Sequence, residues 1–278
     1  MKHAEGTCPG YRGVGLFCQT WSPEETDRTV ASAVFVHGIG DHGGRHMHLI
    51  EALVSAGHTV VAPDMRGHGR SPGPRGYIDS WDDFREDLDA VVEQAASSRR
   101  GAGVFVVGHS LGGLIVLEYA LRRPERLRGV VAMSPALSLD GIPRWQVAAS
   151  RVLNRIVPRL SMKVGLDSDG ISRDPSVKEA DDADPLVHSL GTVRLGVEVQ
   201  EALAWTLAHA SELRVPLLVV HGTADTVVPP AASLAFYERT TLADRTRIEY
   251  PGGYHELDND YVRDKALPDI NAWIAARM

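Results

Sequence analysis

Three polar residues stand where the chain turns sharply after apolar runs: Ser110 in "VFVVGHSLGGLIVL", Asp225 in "HGTADTVVPP" and His255 in "TRIEYPGGYHELDND". A serine hydroxyl is a poor nucleophile at neutral pH unless a histidine takes its proton. That histidine in turn needs a carboxylate to hold its tautomer and stabilise the imidazolium. Ser110 lies between the apolar run Val104 to Val107 and a run of helical spacing, Leu114 to Ala120, fenced by Gly108, Gly112 and Gly113. A strand, a tight turn and a helix, with small residues two before and two after the serine, is the sequence form of a nucleophile elbow. The N–H groups that follow sit at a helix N-terminus and face any anion that forms there. The order Ser110, Asp225, His255 is the one expected when such an elbow is served by loops after later strands. Twelve histidines are present, and His255 is singled out by its place after the last strand candidate. Asp140, just past "LRGVVAMSPA", is the rival for the acid.

A second glycine-rich stretch competes for attention. "VFVHGIGDHGGRH" holds Gly38, Gly40 and Gly43 in GxGxxG spacing, and Asp64 ends the next apolar run. Strand, glycines, helix and an acid about 20 residues on make the dinucleotide fingerprint. The other reading is half of an oxyanion hole, with a backbone N–H just after "HG" facing that of Leu111 across the serine. A two-strand lead-in, Asp41 and His42 where a pyrophosphate would approach, and a full triad elsewhere favour the oxyanion reading. His42, His46 and His48 also cluster beside Asp41. No HExxH or comparable carboxylate pairing follows, so the expectation is a polar rim without a metal.

These residues need a scaffold of strands and helices in alternation. The strand candidates are a β-like opening, "GYRGVGLFCQTWSP", then "ASAVFVHG", "HTVVAPD", "GVFVVGH", "LRGVVAMSPA", "PLLVVHG" and "TRIEYPG". Helical spacing falls near residues 45–56, 80–97, 111–122, 230–241 and 261–276, which predicts an α/β fold with a mostly parallel sheet covered on both faces. With 278 residues the chain fits one large domain. Residues 138–210 run longer than one crossover needs, and a connection of that length predicts a cap or lid inserted within the domain. Inside it, Trp145, Ala149, Val152, Ile156 and Leu160 share one helical face, with Arg151, Arg155 and Arg159 alongside. That stripe reads first as a cap helix packed on the domain beneath, and second as an amphipathic surface that meets lipid.

Composition narrows the classes. The net charge is -7 and the basic residues form no block, so the footprint of a nucleic-acid binder is missing. "MKHAEGTCPGYRG" lacks an apolar h-region, and no run approaches the roughly 18 to 20 apolar residues that span a bilayer, which predicts a cytoplasmic protein. Cys8 and Cys18 share one N-terminal segment where a chance disulfide can form, but there is no CxxC metal pair and so few cysteines fit a reducing compartment.

Taken together, "HGIGDHGGRH", "APDMRGHGRSPG", "GHSLGG", "ISRDPSVKEADDADPLVH", "HGTADTVVPP" and "YHELDND" resemble the monoglyceride lipases, serine hydrolases of the α/β-hydrolase fold, especially the bacterial ones. The resemblance runs from about residue 30 to the C-terminus. It implies hydrolysis of monoacylglycerols to glycerol and fatty acid without a cofactor, under a mobile cap that opens toward the membrane surface. It implies Ser110 as nucleophile, His255 as base and then acid, Asp225 as its orienter, and the backbone N–H groups of Ile39 and Leu111 as the oxyanion hole. Asp41 matches a glutamate that helps receive the glycerol head group, and here the acid is one methylene shorter. His109, beside the nucleophile, is a further substrate-binding candidate. Asp258 departs from an apolar position of the family. The triad fixes the reaction type and leaves open other carboxylic esters, lysophospholipids and thioesters, an idle hydrolase homologue that only binds a ligand, and a monomer or homodimer.

Overall fold

The computed structural model describes every residue except 26–29, 98–102, 141–142 and 166–167. In chain order the elements are β1 (Lys2–Pro9), β2 (Gly15–Ser22), β3 (Ser32–Val36), α1 (Met47–Ser55), β4 (Thr59–Pro63), α2 (Asp82–Ser97), β5 (Val104–His109), α3 (Leu111–Arg122) and β6 (Leu127–Met133). The excursion follows, with α4 (Arg144–Ile156), β7 (Ser161–Lys163), α5 (Pro175–Ala183), β8 (Leu190–Thr192) and α6 (Val193–Ala208). The chain then returns through β9 (Leu217–Gly222), α7 (Pro230–Arg239), β10 (Arg245–Tyr250) and α8 (Arg263–Ala275).

Eight strands form one sheet in the order β1-β2-β4-β3-β5-β6-β9-β10, with β2 antiparallel to both of its neighbours, β1 and β4, and the other neighbouring pairs parallel. This is the α/β-hydrolase architecture. The apolar runs of β3 and β5 are buried on both faces, as a central parallel sheet demands. Val34, Val36, Val104 and Val106 face a core with Phe84 and Leu88 of α2 and Leu114 and Leu117 of α3. Their neighbours Phe35, Phe105 and Val107 face the opposite core, with Leu49 and Leu53 of α1 and Ile270 and Trp273 of α8. Each such side chain contributes about 1.5–3 kcal/mol by leaving water. The chain runs from β3 to β4 on one side and later returns to β5 on the other. The ends of β3 and β5 therefore bracket a crevice where open α/β sheets bind ligands.

Two N-terminal features refine what the sequence predicts. Strand β1 starts upstream of the expected opening stretch, at Lys2. Cys8 and Cys18 form a disulfide across the β1–β2 pair, with Cα atoms 5.8 Å apart, so the cysteines no longer argue for a reducing compartment. Among the described residues no helix is long and apolar enough to cross a membrane.

The stripe on α4 also differs from its first reading as a packed face. Trp145 is 70% exposed and Ile156 72% exposed, and Val152 and Leu160 are exposed with them. The helix rests instead on α6 through its more polar side, where Gln200 Nε2 donates to Ser150 Oγ at 3.1 Å.

Candidate active site

The elbow at the end of β5 explains its three glycines. Ser110 has φ 54° and ψ −118°, a backbone shape an L-residue holds only under constraint. The constraint comes from both sides: Ser110 N–H donates to Met133 O at 3.0 Å, and Ser110 O accepts from Leu114 N at 3.2 Å and Ala136 N at 2.9 Å. A Cβ on Gly108 would strike the Gly112 carbonyl, one on Gly112 would strike the Val36 carbonyl, and one on Gly113 would meet Pro135 Cα at 2.8 Å. Only glycine lets α3 leave the strand this tightly. Leu111 opens α3, so its N–H has no acceptor inside the helix.

His255 and Asp225 meet as the loops after β10 and β9 fold over the sheet end. His255 Nδ1 is 2.7 Å from Asp225 Oδ2. The second oxygen, Asp225 Oδ1, accepts from Val227 N at 2.9 Å and Val228 N at 2.8 Å. Burial pushes this carboxyl upward, but hydrogen bonds from His221 and His255 and the charge of His255 outweigh it and hold Asp225 well below the usual carboxylate range. Asp225 is therefore an anion that keeps the His255 proton on Nδ1. The rival Asp140 is exposed, with its N–H bound to Ser138 Oγ at 2.8 Å.

Two further histidines brace this arrangement, and both stand at the end of a strand in the same run, "VHG". His221 Nε2 lies 3.0 Å from Asp225 Oδ2 and 3.0 Å from Val228 O, two acceptors, so that nitrogen carries a proton. His37 Nε2 accepts from Met65 N at 2.9 Å, so its proton is on Nδ1, which donates to Gly38 O at 2.8 Å. Pinning the Gly38 carbonyl fixes the plane of the Gly38–Ile39 peptide, and with it the direction of the Ile39 N–H. The repeated His-Gly at two strand ends was the available signal.

Asp64, the acid of the dinucleotide pattern, is buried and spends both oxygens on the backbone, accepting from Gly43 N at 3.1 Å and Arg70 N at 2.8 Å. It braces two loops and has no free oxygen for a ribose hydroxyl. The three clustered histidines part company: His42 reaches Asp184 at 2.9 Å, His48 reaches Asn259 at 3.0 Å, and His46 lies between Asp41 and Asp258.

Ser110 and His255 open onto a cavity of about 330 Å³, within the range of small-molecule sites. Ile39, Asp41, Arg45 and His109 of the body line it together with Val164, Ile171, Asp181, Val187 and His188 of the excursion. Asp41 reaches the cavity with its carboxylate already engaged, by Arg45 Nη1 at 2.8 Å and His46 Nε2 at 2.8 Å. Arg45 also binds Glu256 at 3.2 Å and pairs with Asp181 of α5, so one guanidinium joins both walls. His109 Nε2 is 3.3 Å from the His255 carbonyl, and its buried Nδ1 has no hydrogen-bond partner among the described residues. Burial, reinforced by the positive charges His255 and His46 can carry, pushes His109 down to about 3, so its ring is neutral.

The excursion is hydrogen-bonded to the loops it overhangs. His188 N donates to Gly40 O at 2.8 Å, and Glu256 N donates to Ile171 O at 2.8 Å.

Known proteins share this plan. A family described as "Serine aminopeptidase, S33" matches residues 27–261. A monoacylglycerol lipase of Mycolicibacterium smegmatis is 35% identical over 99% of this chain and 98% of its own. Phospholipase YtpA of Bacillus subtilis is 32% identical over 91% of this chain and 97% of its own. The crystal structure of Paleococcus ferrophilus monoacylglycerol lipase superposes with a TM-score of 0.87 at 36% identity, covering 95% of this chain and 99% of the other. With the sheet, the elbow and these likenesses in agreement, the chain belongs to the serine aminopeptidase S33 family of α/β-hydrolases, and within it is a carboxylic ester hydrolase of the monoglyceride lipase and esterase group.

Proposed function

We propose that the protein hydrolyses monoacylglycerols to glycerol and a free fatty acid through an acyl-serine on Ser110. The observation that carries this reading is the cavity, which joins Ser110 and His255 to apolar side chains for an acyl chain and charged ones for a polyol head. Ser110 Oγ attacks the ester carbonyl as His255 Nε2 takes its proton. Asp225 pairs with the imidazolium that forms. The N–H groups of Ile39 and Leu111 hold the tetrahedral oxyanion, an interaction worth about 3 kcal/mol per donor. Collapse transfers the proton from His255 to the departing glycerol oxygen. Water then attacks the acyl-serine, giving its proton to His255, and the fatty acid leaves as Ser110 Oγ is reprotonated.

In this reading residues 138–210 are the cap. His109 lines the substrate cavity beside Ser110 with a neutral ring, and Asp41 acts on the head group through Arg45. The exposed apolar stripe of α4, flanked by Arg151 and Arg155, supports a transient seat on a lipid surface that would deliver the substrate. The phospholipase among the relatives favours lysophospholipids as a second reading. Against it, Asp181, Asp182, Asp184 and Glu256 outnumber Arg45 and Lys178 around the cavity, a poor setting for a phosphate.

The test is hydrolysis of monoacylglycerols of rising chain length beside di- and triacylglycerols and a lysophospholipid, with Ser110→Ala as blank. Preference for the monoacylglycerols and a dead variant are expected. Cleavage of short activated esters alone would overturn the lipid assignment.

A further inference from the structure

Close behind His255 lies a buried charge cluster of which the proposed ester chemistry uses only Asp41, leaving His46 and Asp258 without a role. His46 and Asp258 are each 0% exposed, and Asp41 is buried beside them. His46 Nδ1 is 2.8 Å from Asp258 Oδ2, and His46 Nε2 is 2.8 Å from Asp41 Oδ2. Both oxygens belong to carboxylates, which accept, so both ring nitrogens donate and His46 is an imidazolium. Asp41 stands two residues after Ile39, on the loop after β3, and Asp258 three residues after His255, on the loop after β10. One ring therefore bolts together the two loops that carry the proposed oxyanion donor and the proposed base.

The ring also reaches the base through a stack. Its centroid is 5.4 Å from that of His109, which is 4.7 Å from that of His255. The groups facing His46 are Asp41, Asp258, the neutral His109 and the Phe35 ring, and beyond Asp41 stand Arg45 and its partner Glu256. Three buried charges are an expensive way to fill space, since apolar side chains of similar volume are often as stable or more so. What they supply is a fixed geometry and a fixed field.

Resting on the ester-hydrolase reading with His255 as base, we propose that His46 is a positioning residue: with Asp41 and Asp258 it clamps the oxyanion loop to the His255 loop, and its charge offsets two carboxylates behind His255. The sign follows. Neutralising His46 leaves uncompensated negative charge near His255, favours its imidazolium and starves the reaction of base at low pH. Neutralising Asp258 does the reverse.

The test is the pH profile of kcat/KM for wild type, His46→Gln, Asp258→Asn and Ser110→Ala on one soluble ester. The acid limb is expected to move up in His46→Gln and down in Asp258→Asn, by about half a pH unit or more each, with the loss mainly in kcat. Lower activity with both acid limbs unmoved would overturn the proposal, as would shifts of the same sign. If His46→Gln does not fold, ring-nitrogen NMR of the wild-type protein decides: both His46 nitrogens protonated at pH 8 supports the clamp, and a neutral ring overturns it. Turnover lost to a chelator and restored by zinc would also overturn it, by making Asp41, His46 and His109 metal ligands. Turnover retained by Ser110→Ala would instead sink the serine reading, a failure distinct from all of these.

Discussion

In β5 every residue from Val104 to His109 is buried, whereas on α4 Trp145 and Ile156 are 70% and 72% exposed. Both segments are rich in apolar side chains, and they differ in what covers them. The strand is enclosed by α2 and α3 on one face and by α1 and α8 on the other, so its sequence is set by packing. The helix is held through its polar side, which leaves its apolar stripe uncovered. The proposed chemistry sits where the two regimes meet, with Ser110 and His255 on the body and about half the cavity wall on the excursion.

If the body holds the chemistry, damage there should be catalytic and damage on the excursion should not. The largest effect is expected from Asp225→Asn, which loses the anion that fixes the His255 tautomer; kcat should fall by about 10⁴ in steady-state assays on a soluble ester. His37→Phe comes next. It frees the Gly38 carbonyl and leaves the Met65 N–H without its acceptor, and kcat should fall by about 10² to 10³ as the Ile39 N–H loses its aim. A fall confined to KM would show that the His37 bond does not orient the donor. Gly112→Ala should cost about 1–3 kcal/mol or more, because its Cβ collides with the Val36 carbonyl; an unchanged urea midpoint would contradict that account of the elbow.

The excursion predicts smaller and different effects. Asp181 of α5 is pushed up to about 6 by burial and by the carboxylates of Glu256 and Asp41, against the pull of Arg45. Its ordinary value is about 3.9, so the folded chain binds this proton more tightly than the unfolded one. Stability from this group is complete below about pH 4 and is lost as pH rises through about 6. Asp181→Asn should remove that decline from a plot of Tm against pH, and a parallel curve would refute it. Smallest of all, Trp145→Ser with Ile156→Ser should change stability by less than about 0.5 kcal/mol. It should spare turnover of a dissolved ester and lower turnover of the same ester held in vesicles. Equal loss on both substrates would mean the stripe belongs to the folded core.

Much of the body was legible because its signals are local. Strand β5 is an uninterrupted apolar run, α3 starts where the glycines stop, and residues 111–122 were expected and observed as helix. Ser110 and His255 line one cavity, and Asp225 is bound to His255. What escaped is what depends on distance in sequence. His37 and His221 are hard to single out in the sequence because a buried histidine is defined by its partners, Met65 in one case and Asp225 with Ser233 in the other. His46 looked like one of three rim histidines until Asp258, 212 residues on, supplied its second acceptor. The period of the α4 stripe reports that a face is apolar and says nothing of what covers it.

The most direct test of the central claim is to quench the enzyme during turnover of a monoacylglycerol and weigh the protein intact and after digestion. An acyl group on the peptide bearing Ser110, absent in Ser110→Ala and accumulating in His255→Ala no faster than in wild type, is the predicted result. Turnover without any acylated serine, or an acyl group on another residue, would contradict the account.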